Sequence, residues 1–289
     1  MRGERGEGAS IRIDHVTLAA AALEPARRRF AELGLSTDYG GTHSNGVTHM
    51  ALLGFDDGSY LELISTLEPG APSPLWDRQI RGNAGPAAWA VATDDLAREQ
   101  ERLAGAGVVT RGPVPMTRVR PDGVPLAWEL LFPGDGPPGA TLPFAISDRT
   151  PRNLRVKPSE STSGGDVAGV AQVVIGVRDL EPAAALFGRA YGWSEPVVSE
   201  NPGLGARVAA FPGTPVVLAE PATSSRWLAE RLARYGECPA AFLLAASSPE
   251  RTTGRLPLLP PEPWFGGELA WIDPERLFGW RVGLVLKSG

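Results

Sequence analysis

The sequence has little of several residue types that cross-link proteins or anchor them to larger structures. A single cysteine, Cys238, excludes an internal disulfide and is typical of a reducing compartment, so we expect a cytoplasmic protein. No apolar run approaches the roughly 18 residues of a membrane span, and residues 1–10 are too polar to suggest a signal sequence. Acidic residues outnumber basic ones by 33 to 28, and the net charge of −5 disfavours non-specific nucleic-acid binding. We therefore expect neither nucleic-acid nor membrane partners.

Several catalytic motifs are also missing. The sequence contains no G-x-S-x-G, phosphate-binding loop, H-E-x-x-H or C-x-x-C, so nothing supports a serine hydrolase, a nucleotide enzyme or a zinc protease. Cys238 has no histidine within ten residues, and nothing indicates that it is a nucleophile. With 35 glycines and 28 prolines in 289 residues, the chain is rich in turns and long enough for about two domains.

The most informative feature is an internal repeat. The tetrapeptide LEPA occurs at residues 23–26 and again at 180–183, an offset of 157 residues. A second pair follows in the same order: PAAW at 86–89 and PAAF at 239–242, preceded by Trp76 and Trp227. Two matches in the same order at nearly constant spacing indicate a duplicated half.

Each half divides again into two similar units. Residues 11–19 read as a strand and 23–33 as an amphipathic helix, and the apolar runs 47–55 and 60–66 are joined by a turn at 56–58. The order of strand, helix and about three strands restarts at residues 87, 168 and 239, although the fourth helix is poorly formed or absent. We predict domains at 11–150 (units 11–66 and 86–146) and 168–286, with a polar surface linker at 151–167.

Short motifs in the first half resemble the glyoxalase-like domains of the vicinal oxygen chelate superfamily. The motifs are IDHV at 13–16, GGTH at 40–43, DGSYLELI at 57–64, PMTRVRPDG at 115–123 and LPF at 142–144, together with Trp128. The resemblance covers residues 11–150 well, and residues 168–286 only through the unit pattern. It implies an α+β fold in which tandem βαβββ units form two incomplete barrels, each around a cavity.

The same resemblance implies a site in the first barrel. Superfamily enzymes commonly bind a divalent metal through a His of the first strand and a Glu of the last strand of each unit, and His15 and Glu62 stand at these positions. The other units offer Ala88, Phe144 and Gln172, so the ligand set is incomplete and the cofactor is left open. Without a metal, Glu62 needs another buried partner, and a hydrogen bond to His15 is the alternative.

Two further histidines are candidate ligand-binding residues. His43 lies in a loop where it can reach a ligand at the cavity mouth. His49 lies on the strand that pairs with the Glu62 strand. If Glu62 faces Leu53, His49 shares the cavity side of the sheet, but a one-residue change in loop length moves it to the opposite face.

A loop of alternating charges precedes the Trp128 strand. Arg118 beside Trp128 and Phe144 suits a carboxylate or enolate oxygen, because a guanidinium offers paired donors. The alternative is an Arg–Asp pair among Arg118, Arg120 and Asp122 that only fixes the loop.

Two functions remain. The first is a cytosolic glyoxalase-like enzyme, such as a lyase, isomerase or dioxygenase, that acts on a small oxygenated substrate in the first barrel, with Glu62 as the proton acceptor and with or without a divalent metal. The second is a metal-free small-molecule binding protein of the bleomycin-resistance type. In both, the second half is expected to be a structural or dimerising copy without a chemical site, and a homodimer is left open.

Overall fold

The computed structural model describes residues 8–222, 226–247 and 254–286. Among them the first half forms eight strands and four short helices. The strands are β1 (Arg12–Ala19), β2 (Asp38–Thr42), β3 (Thr48–Gly54), β4 (Tyr60–Thr66), β5 (Gly85–Ala92), β6 (Thr110–Val119), β7 (Pro125–Pro133) and β8 (Phe144–Asp148). The helices are α1 (Leu23–Glu32), α2 (Asp77–Arg81), α3 (Leu96–Gly105) and α4 (Arg152–Arg155).

The second half repeats this plan. Its strands are β9 (Val167–Gly176), β10 (Val197–Asn201), β11 (Ala206–Ala210), β12 (Val216–Pro221), β13 (Cys238–Ala246), β14 (Glu262–Trp264), β15 (Gly267–Trp271) and β16 (Arg281–Leu286). Its helices are α5 (Leu180–Tyr191), α6 (Arg226–Tyr235) and a 3-10 turn, Pro274–Leu277. The helix expected to be weak in the fourth unit would fall between β13 and β14, where residues 248–253 lie outside the described part. None of the described helices is long and apolar enough to cross a membrane.

The two sheets have the same topology. The first runs β2-β3-β4-β1-β5-β8-β7-β6 and the second β10-β11-β12-β9-β13-β16-β15-β14. In each sheet the first strands of two units lie side by side and antiparallel, and each pairs in parallel with the last strand of its own unit. The predicted α+β fold of paired βαβββ units in two incomplete barrels is therefore confirmed.

One face of each sheet packs into a core shared by the two halves. Val16, Leu18 and Trp89 of the first sheet belong to the same buried cluster as Val173 and Phe242 of the second. Helix α1 adds its apolar stripe, Leu23, Ala26 and Phe30, which the 3.6-residue period places on one side. The other face of each sheet is left to line the interior of its barrel.

The open edges of the first sheet approach each other at a glycine. At Gly40 in β2, a Cβ atom would lie 2.9 Å from Cγ of Met50 and 3.0 Å from Nη1 of Arg118 in β6. Real Cβ atoms almost never make contacts this short, so β2 can close against β6 because position 40 has no side chain.

The segment between the sheets is not the surface linker that the sequence predicted. It contains α4, and Arg155, Ser159 and Thr162 are buried. Ser159 donates to the Asp38 carboxylate at 2.6 Å and Thr162 donates to the Gly54 carbonyl, so the segment packs against the first barrel. Its polar composition misled the prediction because these polar groups are satisfied internally rather than by water. The predicted domain limits themselves stay a prediction.

Candidate functional site

Two neighbouring strands of the first sheet direct four polar side chains to the interior of the barrel. Strands β1 and β4 are parallel neighbours in which His15 is opposite Tyr60 and Thr17 is opposite Glu62. Because side chains alternate along a strand, these four share one face. His15, Tyr60 and Glu62 line a partly open cavity of about 120 Å³ inside the first barrel. The structure therefore brings His15 and Glu62 together, on adjacent strands and on the same side of the sheet.

His15 reaches this cavity through an irregularity in β1. Strict alternation along the strand would place Ile11, Ile13 and His15 on one face, but the structure separates them. Ile13 belongs to the core shared by the two halves, whereas His15 lines the cavity. The register of β1 against β5 shifts between Ile13 and His15. Such an extra residue re-aims the side chains that follow it.

Asp14, at this irregularity, holds the imidazole of His15. Asp14 is completely buried, and its Oδ1 lies 2.7 Å from Nδ1 of His15. Burial raises the pKa of this carboxyl, but the charge of Arg155 and the contact with His15 outweigh burial and hold it well below its usual range. An ionised carboxylate can only accept, so Nδ1 of His15 carries the proton and Nε2 is the free ring nitrogen. None of the described residues makes a hydrogen bond to Nε2.

Arg155, which the sequence analysis missed, supports Asp14 from α4. Its Nη2 lies 2.9 Å from Asp14, its Nε lies 2.6 Å from Asp148, and its Nη1 donates to the Tyr60 hydroxyl at 2.7 Å. Arg152, one helical turn earlier, also pairs with Asp14. The spacing of Arg152 and Arg155 would have placed both on one face of a helix, but in a polar segment that signal is also typical of solvated residues.

Aromatic rings fix the His15 imidazole from two sides. The ring of Tyr60 stacks on it with centroids 4.7 Å apart and planes 17° apart, and Phe144 meets it edge-on at 5.4 Å. Phe144 and Trp128, both predicted ligand-binding residues, line the cavity with other apolar side chains: Met50, Leu52, Ile64, Trp76, Met116, Leu130 and Ile146.

Glu62 has partners other than His15. The Thr17 hydroxyl donates to Oε2 at 3.1 Å, and Nε2 of His43 lies 3.3 Å from Oε1, with Nδ1 of His43 against the Thr48 hydroxyl at 2.9 Å. Burial raises the pKa of Glu62, but the contact with His43, together with the Thr17 hydroxyl, outweighs burial and lowers it to about 2. In this arrangement Glu62 is a weak base at neutral pH.

Arg118 and Arg120 divide the alternatives between them, and Arg118 lies near the end of β6 rather than in the predicted loop. Arg120 pairs with Asp122 at 2.7 Å and is the loop-fixing residue. Arg118 is only 6% exposed and lines the cavity beside Trp128. It forms no ion pair with any carboxylate of the described residues.

His49 does not line the cavity, because the second of the two registers that the sequence left open is the one observed. Glu62 pairs with Leu52 rather than Leu53, which turns His49 to the opposite face, where it pairs with Ser65. There its ring contacts Tyr39 with centroids 6.0 Å apart. A shift of one residue reverses every side chain of a strand.

The donor set does not fit the metal site that the fold family implies. In the second unit Ala90 pairs with Phe144, as Thr17 pairs with Glu62 in the first unit. By this register Ala88 stands at the position of His15 and Phe144 at the position of Glu62, and neither side chain can bind a metal. Among the described residues, no three His, Cys, Asp or Glu side chains are grouped closely enough to hold a metal ion. Two protein ligands leave most of a coordination sphere unfilled.

The second barrel is filled by its own side chains. At the positions of His15 and Glu62 it has Gln172 and, by the same register, Val217. Gln172 accepts a hydrogen bond from Nε1 of Trp264 at 2.7 Å, and Trp264 and Trp271 pack in an apolar cluster on this face. The interior that forms a cavity in the first barrel is occupied by two indoles here.

Comparison with known proteins agrees with this architecture. Curled sheets of paired βαβββ units that enclose a cavity with a few polar side chains define a glyoxalase-like protein. The sequence model of the glyoxalase-like domain matches residues 13–192, which extends past the first sheet through α5. The chain belongs to the glyoxalase-like domain family, within the vicinal oxygen chelate superfamily. No curated protein matches its sequence.

Solved structures share the two-barrel fold at low sequence identity. A hypothetical protein from Staphylococcus aureus is similar over 95% of this chain and 98% of its own, with 12% identity and a TM-score of 0.60. A mutant of 4-hydroxymandelate synthase from Streptomyces coelicolor is similar over 97% of this chain and 93% of its own, with 13% identity and a TM-score of 0.60. At this identity the likeness shows the fold alone.

Proposed function

We propose that the first barrel is the active site of a glyoxalase-like enzyme that transfers a proton at a carbon next to an oxygenated group of a small substrate. The observation that carries this proposal is the buried Asp14–His15 pair. An ionised carboxylate that holds one imidazole nitrogen leaves the other as a positioned proton acceptor, the arrangement that general-base catalysis uses. The mostly apolar walls lower the local dielectric constant around that nitrogen, which strengthens electrostatic effects in the cavity. The single cysteine supports a cytoplasmic location.

His15, rather than Glu62, is the proton acceptor in this proposal. The sequence favoured Glu62, but a carboxylate whose pKa is lowered to about 2 by His43 and Thr17 takes up a proton poorly at neutral pH. In the proposed step the substrate C–H bond breaks, the proton moves to Nε2 of His15, and the electron pair passes to the substrate oxygen. Asp14 stabilises the imidazolium that forms, and Nε2 then returns the proton to carbon or oxygen.

Glu62 has a supporting role. Its contact with His43 holds that imidazole on the cavity wall, where the ring can pack against an entering substrate. This makes Glu62 a positioning residue for His43, and its loss should affect substrate binding more than proton transfer.

A binding protein that sequesters a small molecule is the second candidate. The observation that favours it is the apolar lining together with the weak basicity of Glu62, since an apolar, preformed cavity is a general feature of ligand-binding sites. The two candidates differ in whether a bound carbon acid exchanges protons with the solvent.

Deuterium exchange tests the proposal. Phenylacetone and phenylpyruvate would be incubated with the protein in D2O, and loss of the C–H signal next to the carbonyl would be followed by NMR. We expect exchange above the protein-free rate with at least one of them, a decrease of about 10²–10⁴-fold in His15→Gln, and a change of less than about twofold in the control His49→Gln. Binding without exchange by the unmodified protein would favour the sequestering protein.

A further inference from the structure

Arg118 is a buried cation without an anion. Its Nη1 lies 3.2 Å from the sulfur of Met50, its Nη2 lies 3.4 Å from the carbonyl of Arg155, and its buried Nε has no hydrogen-bond partner. Neutral, weak acceptors at these distances do not compensate a guanidinium that is removed from water. Burial lowers the pKa of Arg118, which reflects the same deficit.

Other arginines of the described chain show how the fold satisfies such groups elsewhere. Arg155, equally buried, contacts two carboxylates, Asp14 and Asp148. Arg231 donates to three backbone carbonyls where the two halves meet; its Nε also has no hydrogen-bond partner, but it does not line the first-barrel cavity. Only Arg118 combines burial, an unused donor and a position on the wall of the first-barrel cavity. The negative charge of Glu62 attracts Arg118 across the cavity, but that carboxylate already contacts His43 and Thr17.

We infer that the ligand of the first barrel carries a carboxylate, which Arg118 binds, on a small apolar body of about one ring or a short chain. This inference rests on the proposed function, which places the ligand in that barrel. A carboxylate offers two acceptor oxygens to the paired donors of a guanidinium. It would supply the missing partner of Nε and neutralise the cation in a site of low dielectric constant.

The size and walls of the cavity restrict the rest of the ligand. A volume of about 120 Å³ is close to that of engineered cavities that hold one benzene molecule. The walls around Arg118 are apolar, with Met116, Trp128 and Leu130 on the β6–β7 side. In the sheet order, β5, β8 and β7 separate β1 from β6, so His15 and Arg118 lie on different walls of the curled sheet. When its carboxylate binds Arg118, the ligand therefore extends its apolar body toward His15.

Matched ligands test this inference without any catalytic assay. Phenylacetate and phenylacetamide have nearly the same shape, but only the acid is charged at pH 7. Calorimetric titration should show that the unmodified protein binds phenylacetate at least tenfold more tightly than the amide. Arg118→Gln should abolish this preference and Arg118→Lys should keep part of it, whereas Arg120→Gln, which alters the exposed pair with Asp122, should keep all of it.

Equal affinity for the acid and the amide, or the same acid preference in folded Arg118→Gln, would overturn the inference. So would a failure of the unmodified protein to bind phenylacetate, benzoate and 3-phenylpropionate. These comparisons on the unmodified protein decide the matter even if Arg118→Gln does not fold.

The result also separates this inference from the proposed function. Acid-selective binding without deuterium exchange would support the Arg118 carboxylate site and refute the enzyme. Exchange of phenylacetone without a preference for the acid would support the enzyme and refute the carboxylate site.

Discussion

Asp14 and His15 are adjacent in sequence, yet the side chain of one holds the side chain of the other at 2.7 Å. In a regular strand, neighbouring side chains point to opposite faces and cannot meet in this way. The register shift in β1 makes the contact available, and Arg155 then keeps the carboxylate ionised in a place where water does not reach it. The local backbone irregularity and the helix α4 therefore act together on one imidazole.

Replacing Asp14 should be the most destabilising of the conservative changes in this region. Asp14→Asn removes the fully buried carboxylate that Arg155 and Arg152 share and leaves them only Asp148, and breaking a buried ion pair costs up to about 3 to 5 kcal/mol. Urea unfolding monitored by tryptophan fluorescence would measure the loss. The matched control is Asp122→Asn, which breaks the more exposed pair with Arg120 and should change the unfolding free energy far less. Similar losses in the two variants would contradict the network described here.

Stability should fall in acid, in part because of Glu62. Its pKa is lowered from 4.5 to about 2, so its contribution is complete above pH 4.5 and is lost as the pH falls toward 2. Integrated over that range, the contribution is on the order of 3 kcal/mol. Unfolding free energies at pH 7 and pH 3 should therefore differ less in Glu62→Gln than in the unmodified protein. An unchanged difference would mean that Glu62 is not held ionised by His43 and Thr17.

A methyl group at position 40 should disturb the closure of the first barrel. Gly40→Ala places Cβ against Met50 and Arg118, and overpacking of this kind costs about 1 to 3 kcal/mol. Because Arg118 must shift, we also expect weaker binding of phenylacetate. Gly105→Ala is the control: position 105 ends α3 with open space around it, so stability should stay the same or rise slightly. Thermal unfolding and calorimetry of both variants would check the contrast.

The second barrel should respond to mutation in stability only. Trp271→Ala empties part of its apolar interior and should lower the unfolding free energy by about 3 to 5 kcal/mol, with little effect on ligand affinity. Gln172→Ala should likewise leave affinity within about twofold, whereas His15→Ala should reduce it. An equal loss of affinity in Gln172→Ala and His15→Ala would show that the second barrel has a ligand site of its own.

Much of the fold could be predicted from the sequence because duplication repeats its signals. The LEPA repeat marks the starts of α1 and α5, and the alternation of apolar runs and turns locates most strands to within a few residues. Helices α2 and α6 were not predicted, although the repeated Trp76 and Trp227 lie at the start of one and within the other.

The site was harder to predict because its geometry depends on single-residue shifts. The sequence brought His15 and Glu62 to neighbouring strands, but alternation alone put His15 on the wrong side relative to Ile13. A one-residue difference in the β3–β4 register likewise decides whether His49 lines the cavity, and the sequence left that register open. Periodicity determines which residues alternate, but neither the position of a bulge nor the length of a hairpin loop. Arg155 was missed for another reason, since its partners Asp14 and Asp148 meet it only in three dimensions.

The position of Arg155 in the chain limits how these barrels can be exchanged between proteins. It lies after the last strand of the first sheet and before the first strand of the second, so a crossover placed directly after β8 would separate the guanidinium from Asp14. Chimeras with a foreign second barrel should inherit residues up to Thr162 from the same parent as β1, because Ser159 and Thr162 also anchor this stretch to the first sheet. In a recombination library built on this fold, functional breakpoints should therefore cluster just before β9.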